Sequence, residues 1–413
     1  MRNALSTRIY KWNQASWKGR FGLLYMSIGV RLAILGGLIV VVLLHIIRPL
    51  VSIRIGLLVC ARIGHLATNT EVWMRDMAAR GPRPRTVNIL LSDVPANKQL
   101  LKMIGRRIRI IENQSLYMFA QKLCRLTPNN KLWINLRSSG YGHWNAWNSV
   151  GPQLSFTDEE NKQGADVLRS IGIADNKPFV CFCVRDSAYL DVAGTFRTRA
   201  EWSYHDHRDN DIQNYIPSAR YIADKGISVL RMGAVVQDPL RESHAGLIDY
   251  ATKFRSDFGD IFLLANCKFF LGDTAGIFGV SAIFDVPCAL ANIVPYRSAE
   301  RGLQDLFIPK KLWYVDEKRF LTLSEIISTG IDLWGKKDQY TKAGIEVIEN
   351  TAEEVLALTQ EMHARLDGNW VSYDDEEELQ QRYRDSFPAD HPVTGYPSRV
   401  GTEFLRNNLW LLS

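Results

Sequence analysis

The chain has 413 residues, 46% of them hydrophobic and 23% charged, with 50 lysines and arginines against 44 acids for a formal charge of +6. Such a composition is that of a globular protein, and the length suits about two domains of 100–200 residues. From Met1 to Thr70 there is no Asp or Glu, yet Arg2, Arg8, Lys11, Lys18, Arg20, Arg31, Arg48, Arg54 and Arg62 supply nine cations, so the rest of the chain nets −3. This distribution excludes a general nucleic-acid binder, whose basic residues pattern the folded surface.

Sixteen almost wholly apolar residues, LAILGGLIVVVLLHII, lie between Arg31 and Arg48. As a helix they span roughly 24 Å at 1.5 Å per residue, short of a hydrocarbon core about 30 Å thick. Upstream, Arg8, Lys11, Lys18 and Arg20 interleave with Tyr10, Trp12, Trp17, Phe21 and Tyr25. That mixture suits the headgroup layer, where rings sit at the boundary and cations meet anionic lipid. The apolar run starts too late for a cleavable signal peptide. Residues 1–49 are therefore expected to associate with a membrane, in its plane or re-entering it. A short spanning helix is the second reading, and a buried core helix the soluble alternative.

After Pro49 strands and helices alternate. Val51–Cys60 reads as a strand, Ala61–Arg80 as loop then helix, Thr86–Leu91 as a strand, the region of Asn97–Ile104 as a helix, Ile108–Ile111 as a strand and Ser115–Leu126 as a helix. A polar, aromatic connection follows, and Thr157 with Glu160 forms a capping box that opens the next helix. The rhythm then restarts: strand PFVCFCVRD, helix Asp209–Lys225 stopped by Gly226, strand ISVLRMG, helix Ser256–Asn266, strand KFFLGDTAG, helix GIFGVSAIF and strand PCALAN. This order predicts parallel, doubly wound α/β halves over 50–155 and 156–335. The segment 336–413, with Glu353, Glu354, Glu361 and Asp374 to Glu378, reads as helical, acidic and solvated.

The six cysteines (Cys60, Cys124, Cys181, Cys183, Cys267, Cys288) sit mostly in apolar runs, as free thiols in a reducing compartment would. No second pair at metal-ligand spacing accompanies Cys181 and Cys183. His205 and His207, flanking Asp206, share a strand face if extended, but no third ligand follows at useful spacing, so no metal is expected.

In an open α/β sheet ligands bind at the carboxyl ends of strands. That rule selects Arg185 and Asp186 after one strand, Arg231 and Gly233 after the next, and Asp273, Thr274, Ala275 and Gly276 immediately before a helix. Unpaired backbone N–H groups at a helix start attract phosphate, glycine permits close approach, and arginine grips phosphate oxygens with paired donors. Taken singly, Arg185 reads equally well as a surface ion pair and GDTAG as a tight turn. Asp206 and Arg208 are read as ordering the cleft or touching substrate. Asp257 and Asp260 either complement the helix dipole or contact a ribose.

The run FVCFCVRDSAYL resembles the strand motif of fucosyltransferase-like enzymes, in which an arginine after the strand binds the donor β-phosphate. The run from Ser256 through Asn292 resembles their donor loop and that of lipopolysaccharide heptosyltransferases. The whole chain is similar to a family of bacterial glycosyltransferases found with polysaccharide and sugar-modification genes. The marks are RIGHLATNTE, PANKQLL, VRDSAYL, HRDNDIQNYI, LRMG and GDTAG, over roughly residues 50–335. Cys183 stands where the fucosyltransferase motif usually has histidine, Asp186 follows Arg185 directly, and Ala275 is inserted before Gly276. The resemblance implies a GT-B architecture of two facing Rossmann-like domains. The first, 50–155, would take the acceptor, with Arg62, Asn69 and Asn97 on that side. The second, 156–335, would take the nucleotide-sugar donor, with Arg185, Arg231 and Asp273–Gly276 at its phosphates and Asp206, Arg208 and Asp260 at the nucleotide or cleft. The implied enzyme moves a sugar onto a glycan or lipid-linked acceptor, as a metal-independent, inverting transferase with no cofactor beyond its co-substrate, at the cytoplasmic face of the inner membrane.

An inverting transferase needs a base for the acceptor hydroxyl. His65 titrates nearest the working pH; Glu71, Asp186 and Asp93 are the alternatives. The rival readings are a nucleotide-sugar 2-epimerase-like enzyme, which would need no membrane segment, and a non-catalytic scaffold of a polysaccharide assembly complex.

Overall fold

The computed structural model describes residues 17–136, 147–185, 203–298, 302–391, 393 and 396–413, with backbone alone over 17–28, 30 and 203–205. Its main helices are α1 (Trp17–Ile46), α2 (Ile63–Arg80), α3 (Lys98–Arg107), α4 (Gln114–Leu126), α5 (Asp158–Ser170), α6 (Ile216–Asp224), α7 (Asp257–Asn266), α8 (Phe278–Ile283) and α9 (Ala352–Leu366). The chain forms two compact units: one takes residues up to Leu58 with Pro82–Val94 and Ile108–Leu136, the other Val59–Gly81, Pro95–Arg107 and Arg137–Ser413.

The first unit is a four-stranded parallel sheet, ordered β3 (Arg109–Glu112), β2 (Thr86–Ser92), β1 (Ser52–Leu57), β4 (Trp133–Ile134), with α1 and α4. Leu91, Tyr117, Ala120, Leu123, Leu132 and Trp133 form its core, joined by Val41 from α1. Gly37 lets α1 approach α4: a Cβ there would lie 2.7 Å from Leu123 and Phe119 side-chain atoms. Among the described residues no helix is long and apolar enough to cross a membrane.

The second unit holds a seven-stranded sheet, all parallel, in the order β14 (Arg399–Val400), β10 (Leu306–Pro309), β9 (Cys288–Ile293), β8 (Phe270–Gly272), β5 (Phe179–Cys183), β6 (Ser228–Arg231), β7 (Leu247–Ile248). Strands β5, β8 and β9 are buried throughout, which is why their sequences are continuous apolar runs rather than alternating ones. From β5 the chain adds β6 and β7 on one side and β8, β9 and β10 on the other, so the order reverses between β5 and β8. A smaller antiparallel sheet pairs β11 (Lys311–Tyr314) with β12 (Arg319–Phe320) and β13 (Ile345–Ile348).

The Thr157–Glu160 capping box forms as read, and Ser256 caps α7. Three readings change. The helix expected from Asp209 begins at Ile216, after a 3-10 turn over Ile212–Tyr215, because Pro217 suits only a first helical turn. The loop expected at the start of Ala61–Arg80 is only two residues long, so His65 and Glu71 both lie within α2. The carboxyl-terminal segment is not merely a solvated face: it contributes β13 and β14, and Glu361 and Glu376 are buried against Arg365 and Arg399.

Candidate functional site

Residues of the second unit alone line a cavity of about 330 Å³. It opens where β5 and β8 end side by side, with Cys183 paired to Gly272, at the position where strand order reverses and loops diverge to leave a crevice. Arg185 arrives directly from β5, the Thr274–Gly276 turn from β8, and Gly233–Val236 from β6, where Gly233 takes a φ of 151°. The start of α2 adds Arg62, Gly64 and His65. Gly64 packs on the turn after β8 so closely that a Cβ would sit 2.6 Å from the Gly276 carbonyl oxygen. Neither α2 nor α8 has an acid in its first turn or a side chain capping it.

Four arginines line the cavity: Arg62, Arg185, Arg208 and Arg255. Arg185 Nε donates to Asp209 Oδ1 at 2.9 Å. Arg208 donates to the Thr274 carbonyl at 2.8 Å and to its Oγ1 at 3.0 Å. Burial, then the nearby charge of Arg185 and further that of Arg62, lowers Arg208 to about 10, with Asp273 and Asp209 acting oppositely. Like cations gathered in a half-buried space form a receptor for an anion. Asp260 is an acidic lining residue, paired to Arg255 at 2.9 Å, and burial raises its carboxyl to about 6 while Arg255 pulls it down.

Thus Arg62, His65, Arg185, Arg208, Asp260, Thr274, Ala275 and Gly276 come together around one cavity. The remaining candidates lie elsewhere. Asp273 is fully buried and accepts from the N–H groups of Arg185 and Ala275 and from the Asn210 amide; its carboxylate shapes the turn and would repel phosphate. Arg231 turns away from the cavity, bonding the Asp238 carbonyl at 2.9 Å and Asp249 at 3.4 Å. Glu71 is buried, accepting from Arg75 Nε at 2.9 Å and the Gln153 N–H at 2.7 Å. Arg75 in turn reaches the carbonyls of Trp147 and Ile283, fastening α2 to the end of α8. Asn97 caps α3 through the Leu100 N–H and donates to the Asp257 carbonyl. Asn69 does not line the cavity. Asp206 is exposed, 3.6 Å from Lys337, and buried His207 packs on Tyr340. Asp93 belongs to the first unit, and Asp186 lies outside the described residues. Among the described residues no cluster of three His, Cys, Asp or Glu is placed to hold a metal.

Sequence reasoning singled out Gly233 but missed Arg255 and the Ala234–Val236 stretch that follows Gly233. Arg255 had a readable signal: it precedes the Ser256 cap by one residue, within reach of both Asp257 and Asp260.

No protein-family model matches the chain, and no curated protein matches it in sequence. Among solved structures it is similar to a family 9 glycosyl transferase from Veillonella parvula, at 12% identity over 58% of this chain and 80% of that one, with a TM-score of 0.38. It is also similar to the E. coli ADP-heptose lipopolysaccharide heptosyltransferase II, at 12% identity over 58% of this chain and 84% of that one, TM-score 0.35. A third is the E. coli heptosyltransferase WaaC solved with ADP, at 11% identity over 62% of this chain and 91% of that one, TM-score 0.34.

Proposed function

We propose that the protein is a glycosyltransferase that takes a sugar from a nucleotide-sugar donor and passes it to a glycan or lipid-linked acceptor of surface polysaccharide synthesis. One observation carries the reading: Arg62, Arg185 and Arg208 converge with the Thr274–Gly276 turn on the cavity at the sheet's switch point. A nucleoside diphosphate gains negative charge as its bond to the sugar breaks. Pre-placed guanidiniums and backbone donors stabilise that charge without reorganising at the moment of reaction. In this mechanism Arg185 and Arg208 hold the leaving diphosphate and Thr274 positions it. Asp260 accepts from a ribose hydroxyl. His65, exposed in the first turn of α2 and facing the same cavity, takes the acceptor proton as the anomeric carbon is attacked, giving inversion with no metal. His65→Ala should keep nucleotide affinity within about twofold and lower transfer by about 10² or more, the usual contribution of a general base. Retained transfer removes His65 from that role.

The reading includes a membrane location, on the cytoplasmic face of the inner membrane. Support comes from α1, whose inner side packs on the first unit's core through Val41, Ile34, Leu38 and Leu44. On its other side Leu32, Leu35, Ile39, Val42, Leu43 and Ile46 are each more than half exposed. Arg31 and Arg48 bracket that stripe and are exposed too. An apolar face ringed by cations fits an anionic lipid surface, with the helix in the plane.

A further inference from the structure

Lys310 is 2% exposed, at the junction where β10 ends and β11 begins. Its backbone is pinned on both sides: its N–H donates to the Ile293 carbonyl at 3.1 Å, and its carbonyl accepts from the Tyr296 hydroxyl at 2.7 Å. From this fixed base the ammonium donates to the carbonyl of His207 at 3.1 Å and to that of Asp209 at 3.2 Å. Those two carbonyls bracket Arg208. Asp209 is also the residue whose carboxylate holds Arg185. The ammonium reaches no cavity surface and does not line the site.

We infer that Lys310 is a positioning residue for the anion-binding cavity, a strut that sets the backbone on either side of Arg208 and, through Asp209, the guanidinium of Arg185. The physical case is the cost of the arrangement. An ammonium in a desolvated interior is expensive, and its partners here are neutral carbonyls rather than a bonded carboxylate. Burial lowers its pKa, the charges of Glu349, Asp273 and Asp209 oppose that, and Arg208 adds repulsion. An aliphatic side chain of similar length would fill the same volume without desolvating a charge. The benefit appears at the cavity, where two arginines must face an anion despite their mutual repulsion. A compact group with three donors is suited to bonding two carbonyls at once.

The inference rests on the nucleotide reading, and its test separates the two. The probe is inorganic pyrophosphate, the group common to all nucleoside diphosphates, followed on the full chain by ³¹P NMR so that millimolar affinities are still measured. Lys310→Met is expected to fold with a Tm within a few degrees of the wild type and to bind pyrophosphate about tenfold more weakly, as loss of one charge-assisted contact shared between the two arginines implies. Lys310→Arg, which keeps charge and paired donors, should restore at least a third of the affinity. In an Arg208→Ala background the Lys310→Met effect should shrink to about threefold or less, because half of what the strut positions is gone. Wild-type affinity in a folded Lys310→Met, or a full tenfold loss repeated in the Arg208→Ala background, overturns the strut alone. If Lys310→Met does not fold, Lys310→Arg decides: affinity below a tenth of wild type with an unchanged Tm overturns the claim that charge and donors suffice. No binding of pyrophosphate or any nucleoside diphosphate by the wild type overturns the nucleotide reading and the strut with it.

Discussion

Arg208 carries the largest share of the proposed chemistry, since it touches the Thr274 turn and lies within the field of Arg185 and Arg62. A hydrogen bond to a charged group is worth about 1.5–3 kcal/mol, so Arg208→Ala should weaken nucleoside diphosphate binding roughly ten- to a hundredfold. The side chain is only half-buried, so calorimetry should show that loss with little change in Tm. Asp260 has a different signature. Its carboxyl, raised by burial to about 6 from 3.8, is ionised at pH 7.5 and mostly neutral at pH 5.5. The neutral carboxyl keeps an oxygen that accepts from the ribose while its repulsion of the diphosphate is lost, so affinity for a nucleotide-sugar should rise several-fold as pH falls through 6. A nucleotide-sugar donor, its phosphates both diesterified, keeps its own charge over this window. Asp260→Asn should therefore flatten the part of the profile that belongs to Asp260, and an unchanged profile would show that Asp260 does not titrate there.

At the scale of elements, most strands and the residues at their carboxyl ends were legible, because buried parallel strands read as apolar runs ending in polar residues; the reversal of order between β5 and β8 was not. What the pattern could not show was where a strand-end side chain turns. Arg231 stands at a strand end as Arg185 does, yet Asp249, eighteen positions on, draws it out of the cavity. Glu71 has a local partner, Arg75 one helical turn later, and that spacing is itself the mark of a structural pair. Lys310 had no signal, since its role depends on carbonyls about a hundred residues away. The meeting of α2 with the turn after β8 was also hidden, though its mark is a glycine inside a helix start. Gly64→Ala places a Cβ 2.6 Å from the Gly276 oxygen. Overpacking of this kind costs about 1–3 kcal/mol, so the variant should melt several degrees lower and bind nucleotide more weakly. Wild-type values for both would mean the contact is not tight.

For the whole molecule, the acid-free start of the chain divides between the two units. Its first part supplies α1 and the apolar stripe; its last part, Arg62 to Thr70, opens α2 at the cavity. The membrane proposal predicts that the full chain floats with vesicles containing anionic lipid and less with neutral ones. Leu35→Glu with Ile39→Glu and Leu43→Glu should abolish flotation while nucleotide binding persists. Equal flotation of that triple variant would contradict the assignment of the outer face of α1. The central claim, a cavity built for a nucleoside diphosphate, is tested most directly by thermal shift with ADP, GDP, UDP and CMP on the wild type and on Arg208→Ala. The account predicts that one nucleoside diphosphate raises the wild-type Tm by several degrees and leaves Arg208→Ala nearly unmoved; no shift with any nucleotide, or an equal shift in the variant, would contradict it.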